Sequence, residues 1–256
     1  VENIDEILEL SDGLMVARGD LGIEIPYYKV PTVQKMIIKK ANDASKPVIT
    51  ATQMLLSMTK NDSATRAEIS DVANAVLDGT DAVMLSEESA IGHNPVQAVE
   101  TMVNTIRATE EFYPFHRLSE FHMHDAADKI NDSAVRLCQN LDAAGILTIT
   151  STGRSAKQLA RYRPDRTIYA ITHDRYIAQF LTIVWGVVPA FSVNDKSLDY
   201  MMTEVVEQGI KRGVLDLDSR YILTAGDPVG VSGSTNMIRI ITAHEMEYFR
   251  SLKWQV

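Results

Sequence analysis

The chain has 256 residues, 45% of them hydrophobic and 23% charged, so it can bury a sizeable core in one large or two ordinary domains. Its net charge of −9 and the lack of a long basic run argue against nonspecific binding to nucleic acid or to an anionic membrane. A single cysteine, Cys138, excludes an internal disulfide and a cysteine-based zinc cluster. Because the sequence shows no signal peptide and no apolar run of roughly 20 residues, we expect a cytoplasmic protein.

The first half alternates short apolar runs with amphipathic patterns. Thr65 and Glu68 have the spacing of a capping box, Gly79 is placed to end the helix that follows, and Asn94-Pro95 is placed to begin the next one. In chain order we predict a strand at 12–17, a loop at 18–22, a helix at 33–44, a strand at 47–52, the helix between Thr65 and Gly79, a strand at 81–85 and a helix from Asn94. This order implies parallel strands, and their apolar sequences are typical of strands buried on both faces.

Polar residues follow each of the three predicted strands, at the end where parallel α/β folds bind ligands and place catalytic groups. The Asp20 carboxylate suits Mg²⁺ or Mn²⁺, and a plain turn aspartate is the alternative. Arg18 suits a phosphate or carboxylate clamp, or else a structural ion pair. Thr52 offers a hydroxyl to a substrate, or is a satisfied loop hydroxyl. The residues of this group are Arg18, Gly19, Asp20, Thr52, Gln53, Ser86, Glu87 and Glu88.

The pattern breaks over residues 110–118, where aromatic residues cluster around Pro114. We therefore predict two domains, residues 1–113 and 114–256. In the second domain we predict helices at 128–141, 155–162, 176–184 and 198–212, strands at 146–150, 167–172, 187–193 and 221–225, an edge strand at 237–242 and an amphipathic extension at 243–256.

A hydroxyl-rich turn joins a predicted strand to a predicted helix at Thr150-Ser151-Thr152-Gly153-Arg154-Ser155. Hydroxyls, backbone N–H groups and the positive end of the helix favour a phosphate there, although the Walker ending is missing. Lys157, Arg161 and Arg163 are expected to add positive charge. The glycine-rich loop 226–235 closes over the same site or is a simple turn. The alternative for the whole segment is an ordinary strand-to-helix turn.

The histidines and the cysteine give little indication of a metal or catalytic site. The six histidines show no metal-binding spacing, and His122 and His124 are expected to be solvated beside the domain boundary. Cys138 lies on an apolar helical face, so we expect it in the core.

Taken together, the motifs resemble those of the pyruvate kinase family. In the first half these are MVARGDLG at 15–22, KPVITATQML at 46–55 and the run 65–79; in the second half they are TSTGRS at 150–155, ARYRP at 160–164 and GSTN at 233–236. The resemblance covers about residues 1–240 in the family's order. It implies a fold made of the last three units of a (β/α)8 TIM barrel, followed by a three-layer α/β C-terminal domain.

The family transfers phosphate from phosphoenolpyruvate to ADP, giving pyruvate and ATP, with Mg²⁺ or Mn²⁺ and K⁺. By resemblance, Asp20 is a metal ligand, Arg18 and Gly19 lie beside the substrate, and the N–H groups of Gly19 and Asp20 face its carboxylate. Thr52 stabilises the transition state, and Ser86 and Glu88 lie near the proton relay. The turn Thr150–Ser155 implies a phosphorylated allosteric effector, and the helix after Thr65 implies a homotetramer.

The resemblance also implies that the chain lacks catalytic parts. The family's catalytic lysine, its other metal carboxylate, its K⁺ ligands and its lid domain all lie upstream of these motifs. Because the chain starts at Val1, we expect it to be part of a longer enzyme, and because these catalytic parts are missing, we expect it to be inactive alone. The alternative is a non-catalytic fragment for effector binding and oligomerisation. Residues 192–202 lack the tryptophan and arginine of fructose-1,6-bisphosphate-activated members, so a sugar monophosphate, a nucleotide or no effector is expected. An aldolase-like barrel that stabilises an enolate through a metal is a more distant alternative, which the run 150–155 disfavours.

Overall fold

The computed structural model describes residues 1–118, 120–121, 125–193, 197–227 and 235–252. The chain divides into two compact units, Val1–Pro114 and Phe115–Val256. The described part contains no helix that is both long enough and apolar enough to span a membrane.

The first unit is a three-stranded parallel sheet with helices. Its elements are α1 (Ile4–Leu10), β1 (Leu14–Ala17), α2 (Arg18–Glu24), α3 (Val30–Asp43), β2 (Val48–Ala51), α4 (Arg66–Asp78), β3 (Ala82–Met84), α5 (Glu87–Ala90) and α6 (Pro95–Glu110), with 3-10 turns at Tyr27–Lys29 and Leu56–Thr59. The strand order is β1-β2-β3, and the pairing is parallel, as predicted.

The two faces of this sheet are covered unequally, which corrects the prediction of strands buried throughout. Val16 and Val48 pack into a cluster with α3, whereas Met15 on the opposite face of β1 is 50% exposed. All three residues of β3 are only half-buried. Alternate side chains of a strand point to opposite faces, so the face that carries Met15 is only partly covered in this unit, although Ala51 on that face is buried.

Residues 18–22, predicted as a loop, form the first turns of α2. Two glycines in seven residues lower the intrinsic helix propensity of this segment, so its local sequence does not indicate a helix. The helix start is completed from outside, because the Gly19 N–H donates to Thr52 Oγ1 at 2.9 Å. Short helices α1 and α5 were also not predicted.

The predicted capping box of α4 is present. The Glu68 N–H donates to Thr65 Oγ1, the Thr65 N–H donates to Glu68 Oε2, and Gly79 ends the helix at φ 94°. The Glu68 carboxylate also accepts hydrogen bonds from the N–H and the hydroxyl of Ser57, at 2.7 and 2.6 Å. Burial by itself would raise the pKa of Glu68, but these hydrogen bonds from Ser57 and Thr65 lower it from its ordinary value.

Replacement of Glu68 by glutamine is expected to cost stability in a pH-dependent way. Because the folded-state pKa is lowered, the stabilisation by the carboxylate is present above the unfolded-state value of 4.5 and is lost as the pH falls through the lowered pKa. The unfolding free energies of wild type and Glu68→Gln should therefore converge between neutral pH and about pH 3. The matched control is Glu100→Gln on the exposed face of α6; a gap that is independent of pH would contradict the expectation.

The second unit has a five-stranded sheet of order β6-β5-β4-β7-β8. Its elements are α7 (Ala126–Asn140), β4 (Gly145–Ile149), α8 (Arg154–Arg161), β5 (Ile168–Ile171), α9 (Arg175–Leu181), β6 (Val187–Phe191), α10 (Leu198–Lys211), β7 (Tyr221–Gly226), β8 (Thr235–Ile241) and α11 (Ala243–Ser251). As predicted, β8 is an edge strand; it pairs antiparallel with β7, and the other strands are parallel.

Helices cover both faces of this sheet, so the unit has three layers. Ile146 and Ile222 pack against α7, α8 and α9, and their neighbours Leu147 and Leu223 pack against α10 and α11 on the other face. The predicted C-terminal extension is helix α11 as far as Ser251. Residues 253–256 and the predicted solvated His122 and His124 lie outside the described residues.

Cys138 is buried in the core, as predicted, and its burial raises the pKa of the thiol to about 11. A thiol with this pKa is almost wholly protonated at neutral pH, so Cys138 is a packing residue.

A buried ion pair joins the last turn of α8 to the first turn of α7. Arg161 is bound to Asp128 at 2.5 Å, and the side chains are 2% and 0% exposed. The Tyr162 hydroxyl donates to the same carboxylate at 2.9 Å. The Arg161 guanidinium also lies over the rings of Phe121 and Tyr162, at 5.5 and 4.9 Å. These contacts fix α7 on α8 in the interior of the unit.

Candidate functional site

The turn after β2 is hydrogen-bonded to the start of α2 through the backbone N–H of Gly19 and the guanidinium of Arg18. Gly19 donates to the Thr52 hydroxyl, and the Arg18 guanidinium donates to the Thr52 carbonyl at 2.7 Å and to the Gln53 carbonyl at 3.1 Å. Sequence reasoning placed these residues at neighbouring strand ends, and the structure brings them into direct contact.

Thr52 and Gln53 both have a positive φ, at 69° and 53°. This conformation is a genuine outlier for a β-branched residue and costs of the order of 1–3 kcal/mol. The contacts with Arg18 and Gly19 stabilise it. These contacts hold the backbone and the hydroxyl of Thr52 in one orientation. Strained backbone of this kind is common at functional sites.

The Arg18 guanidinium takes the ion-pair alternative. It contacts Asp71 of α4 at 2.5 Å, and its side chain is only 9% exposed. Both residues line a cavity of about 350 Å³ between α3 and α4. Since its donors bind Asp71 and two carbonyls, Arg18 positions the turn at 52–53. Asp71 is a neighbour of this candidate site that could not be found from the sequence, because no local pattern links residues 53 positions apart.

Asp20 lies in the first turn of α2 and is exposed. Among the described residues no hydrogen-bond or ion-pair partner contacts its carboxylate. The described residues contain no group of three or more histidine, cysteine, aspartate or glutamate side chains able to hold a metal. Mg²⁺ is usually held by one or two carboxylates together with water and substrate oxygens, so Asp20 fits the part of a single ligand.

Glu88 links two strand ends. One carboxylate oxygen accepts from the Leu55 N–H at 2.9 Å and the other from the Ser86 N–H at 2.8 Å, and the residue is 1% exposed. Ser86 itself is exposed at the start of α5. Glu88 thus holds the turns after β2 and β3 together, and Ser86 is the residue of the two that faces solvent.

Substitution of Glu88 by glutamine is expected to lower the free energy of unfolding by about 1–3 kcal/mol, because the amide NH₂ would face a backbone N–H in place of an acceptor. Urea unfolding of the purified chain measures this. Glu87→Gln, at the exposed neighbouring position, is the control, and equal effects of the two changes would refute the bridging role of Glu88.

The turn between β4 and α8 has a defined geometry. Gly153, at φ 76°, donates to Thr150 Oγ1 at 3.0 Å. A Cβ on Gly153 would make a tight contact of 3.2 Å with Ile177 Cγ2, and the positive φ favours glycine. Ser151 and Thr152 are exposed above this turn. The N–H groups of the first turn of α8 have no acceptor within the helix.

The loop between β7 and β8 begins and ends beside this turn. The Ser155 hydroxyl lies 2.6 Å from the Thr235 hydroxyl, and Asn236 forms two hydrogen bonds with the backbone of Asp227 across the loop base. The loop itself, residues 228–234, lies outside the described residues.

Two of the cations expected at the turn lie elsewhere. Arg161 is buried against Asp128, and Arg163 is 1% exposed with its guanidinium 4.9 Å from the Trp185 ring. Arg154 is half-exposed and pairs with Asp125, and Lys157 lies over the Phe180 ring.

Two family models match the chain. The model described as the pyruvate kinase barrel domain matches residues 1–99, and that described as the pyruvate kinase alpha/beta domain matches residues 128–241. A solved pyruvate kinase from Cryptosporidium parvum is 37% identical with a TM-score of 0.83, over 94% of this chain and 50% of that one.

Curated relatives agree with these matches. The pyruvate kinase of Lactobacillus delbrueckii subsp. bulgaricus is 47% identical over 246 residues, and that of Geobacillus stearothermophilus is 45% identical over 244. Each alignment covers 94% of this chain and 42% of the relative. For the Clostridium acetobutylicum enzyme, at 43% identity, the covered share of the relative is 52%. The chain therefore spans about half or less of the length of these relatives.

Proposed function

Since the chain belongs to the pyruvate kinase family, we propose that it forms the C-terminal half of an enzyme that transfers phosphate from phosphoenolpyruvate to ADP. The observation that carries this proposal is the rigid group formed by Arg18, Gly19 and Thr52 at the strand ends, inside the segment matched by the barrel-domain model. We further propose that the complete enzyme works in the cytoplasm as a tetramer.

Positioning is the chemical task of this group. Phosphoryl transfer depends mainly on charge neutralisation and on alignment of the reacting groups. Arg18 holds the Thr52 turn in its strained conformation, and the exposed Asp20 lies on the same helix start. The N–H of Gly19, expected to face the substrate carboxylate, instead donates to Thr52 Oγ1. The backbone N–H of Asp20 belongs to the first turn of α2, whose N–H groups have no intrahelical acceptors and suit a substrate carboxylate.

Asp20 would hold a divalent cation, which supplies charge neutralisation to the enolate and phosphoryl oxygens. Thr52 would place its backbone and hydroxyl beside the transferring group. Ser86, held at the end of β3 by the Glu88 carboxylate, would donate to water or substrate on the proton-delivery side. We assign no K⁺ ligand to the residues of this chain.

The isolated 256 residues are proposed to be inactive. The first unit supplies three parallel strands, whereas a complete β/α barrel has eight strands and about 250 residues. The experiment is a chimera in which this chain replaces the matching segment of the Lactobacillus delbrueckii relative. We expect pyruvate formation by the chimera and none by the chain alone; a folded chimera without activity would count against the proposal.

The second unit is proposed to bind the phosphate of a regulatory ligand at the turn Thr150–Ser155. Support comes from the exposed hydroxyls of Ser151 and Thr152 above the N-terminus of α8. Fixed backbone N–H groups at such a helix start form an anion site.

A carboxylate placed in this turn should repel a phosphate. Thr152→Asp is expected to weaken binding of glucose 6-phosphate to the chain by about tenfold or more, measured by calorimetry. Ser133→Asp, on the exposed face of α7, is the charge-matched control. If Thr152→Asp and the control bind alike, the turn is not the phosphate site.

A further inference from the structure

A cavity of about 260 Å³ lies in the second unit at the carboxyl ends of β5 and β6. Its lining includes apolar surface from Ala170, Ala190 and Phe191 and three nitrogen-bearing side chains, those of His173, Arg175 and Arg212. Its volume falls below the roughly 300–1,000 Å³ of pockets that hold drug-sized ligands, so it suits a small molecule.

The two arginines of this cavity differ from others in the same unit. Arg154, Arg161 and Arg166 each pair with an aspartate. Within the described ranges, Arg175 and Arg212 form no ion pair with a carboxylate. Arg212 lies over the Phe191 ring at 6.0 Å, with one long hydrogen bond of 3.4 Å to Gln208.

Asp174 is the carboxylate among the described lining residues, and its Oδ1 is already occupied. That oxygen accepts hydrogen bonds from the N–H groups of Tyr176 and Ile177, at 2.7 and 3.2 Å. The Asp174 N–H in turn donates to Thr172 Oγ1 at 3.3 Å. Asp174 therefore fixes the backbone on which Arg175 stands, and no described contact joins it to either guanidinium.

We propose that this cavity binds a small oxyanion, a phosphate or carboxylate group, between the guanidinium groups of Arg175 and Arg212. A guanidinium offers paired N–H donors that match both groups, and apolar atoms of the ligand would rest on Ala170, Ala190 and Phe191. Two such charges in one concavity give a local positive potential on a chain of net charge −9. The proposal is independent of the catalytic assignment and concerns residues outside the turn 150–155.

The test uses the full chain carrying Thr152→Asp, which is expected to weaken phosphate binding at the turn. This protein is titrated with inorganic phosphate and, separately, with propionate. We expect one ion bound per chain, and the probe that binds more tightly identifies the preferred group. Arg175→Gln and Arg212→Gln should each weaken that binding by about tenfold or more. Arg220→Gln, an exposed arginine of the same unit outside the cavity lining, should leave it unchanged.

The proposal is overturned if Arg175→Gln and Arg212→Gln bind the ion as tightly as Arg220→Gln does. It is also overturned if the Thr152→Asp chain without these changes binds neither phosphate nor propionate. Arg212 packs on Phe191, so its substitution can also disturb folding; Arg175 is exposed and has no such contact, so Arg175→Gln decides the question. Binding of glucose 6-phosphate by the Thr152→Asp chain is measured separately. The proposal that the turn 150–155 binds phosphate and the proposal that the cavity binds an oxyanion can therefore fail independently.

Discussion

Removal of the Asp20 carboxylate is expected to abolish turnover. In the chimera that carries this chain, Asp20→Ala should lower kcat by about a thousandfold or more, since a catalytic divalent cation contributes several kcal/mol of transition-state stabilisation. Asp20 is proposed to hold this cation because its carboxylate is exposed, has no described partner and lies at the helix start that contacts Thr52. Pyruvate formation is measured across a Mg²⁺ titration.

Glu24→Ala on the same helix is the matched control. Glu24 is an exposed acid in the last turn of α2, so its loss removes the same charge without touching the helix start. Activity equal to that of the unsubstituted chimera is expected for Glu24→Ala. Near-normal activity of Asp20→Ala at every Mg²⁺ concentration would remove Asp20 from the metal site.

Breaking the buried ion pair in the second unit is expected to have the largest effect on stability. Arg161→Met leaves the Asp128 carboxylate, which is 0% exposed, without its cation. Loss of one partner of a buried pair costs about 3–5 kcal/mol, because the remaining charge is desolvated and uncompensated. Urea unfolding of the chain followed by a signal from the second unit measures the change.

Two further variants keep this prediction testable. Arg136→Met breaks a pair with Asp132 in which the arginine is 49% exposed, and it should cost at most about 1 kcal/mol. The double variant Asp128→Leu/Arg161→Met removes both charges and should recover much of the loss. If Arg161→Met and Arg136→Met cost the same, the Arg161–Asp128 pair does not hold α7 on α8.

The elements that could be predicted are those with local determinants. Thr65, Glu68 and Gly79 fix the ends of α4 through contacts no more than a few residues apart, so their spacing was sufficient. The strands of both sheets and the edge strand β8 follow from apolar runs and their order. Helix α2 could not be predicted in this way, because its start is completed by Thr52, 33 residues from Gly19.

The candidate site shows the same division. The sequence placed Arg18, Asp20 and Thr52 at neighbouring strand ends, but it could not say that Arg18 binds Asp71 and two carbonyls. It also placed Arg161 among the cations of the phosphate turn, because sequence distance does not reveal which side of α8 faces α7. The partner of each of these charged groups lies 33 or more residues away.

The most direct test of the account is the assay of pyruvate formation from phosphoenolpyruvate and ADP, with Mg²⁺ and K⁺, by the chimera and by the 256-residue chain at equal concentration. We predict turnover by the chimera, none by the chain, and loss of the chimera's activity in Asp20→Ala. A folded chimera that forms no pyruvate, or a chain that forms it unaided, would contradict the proposed function.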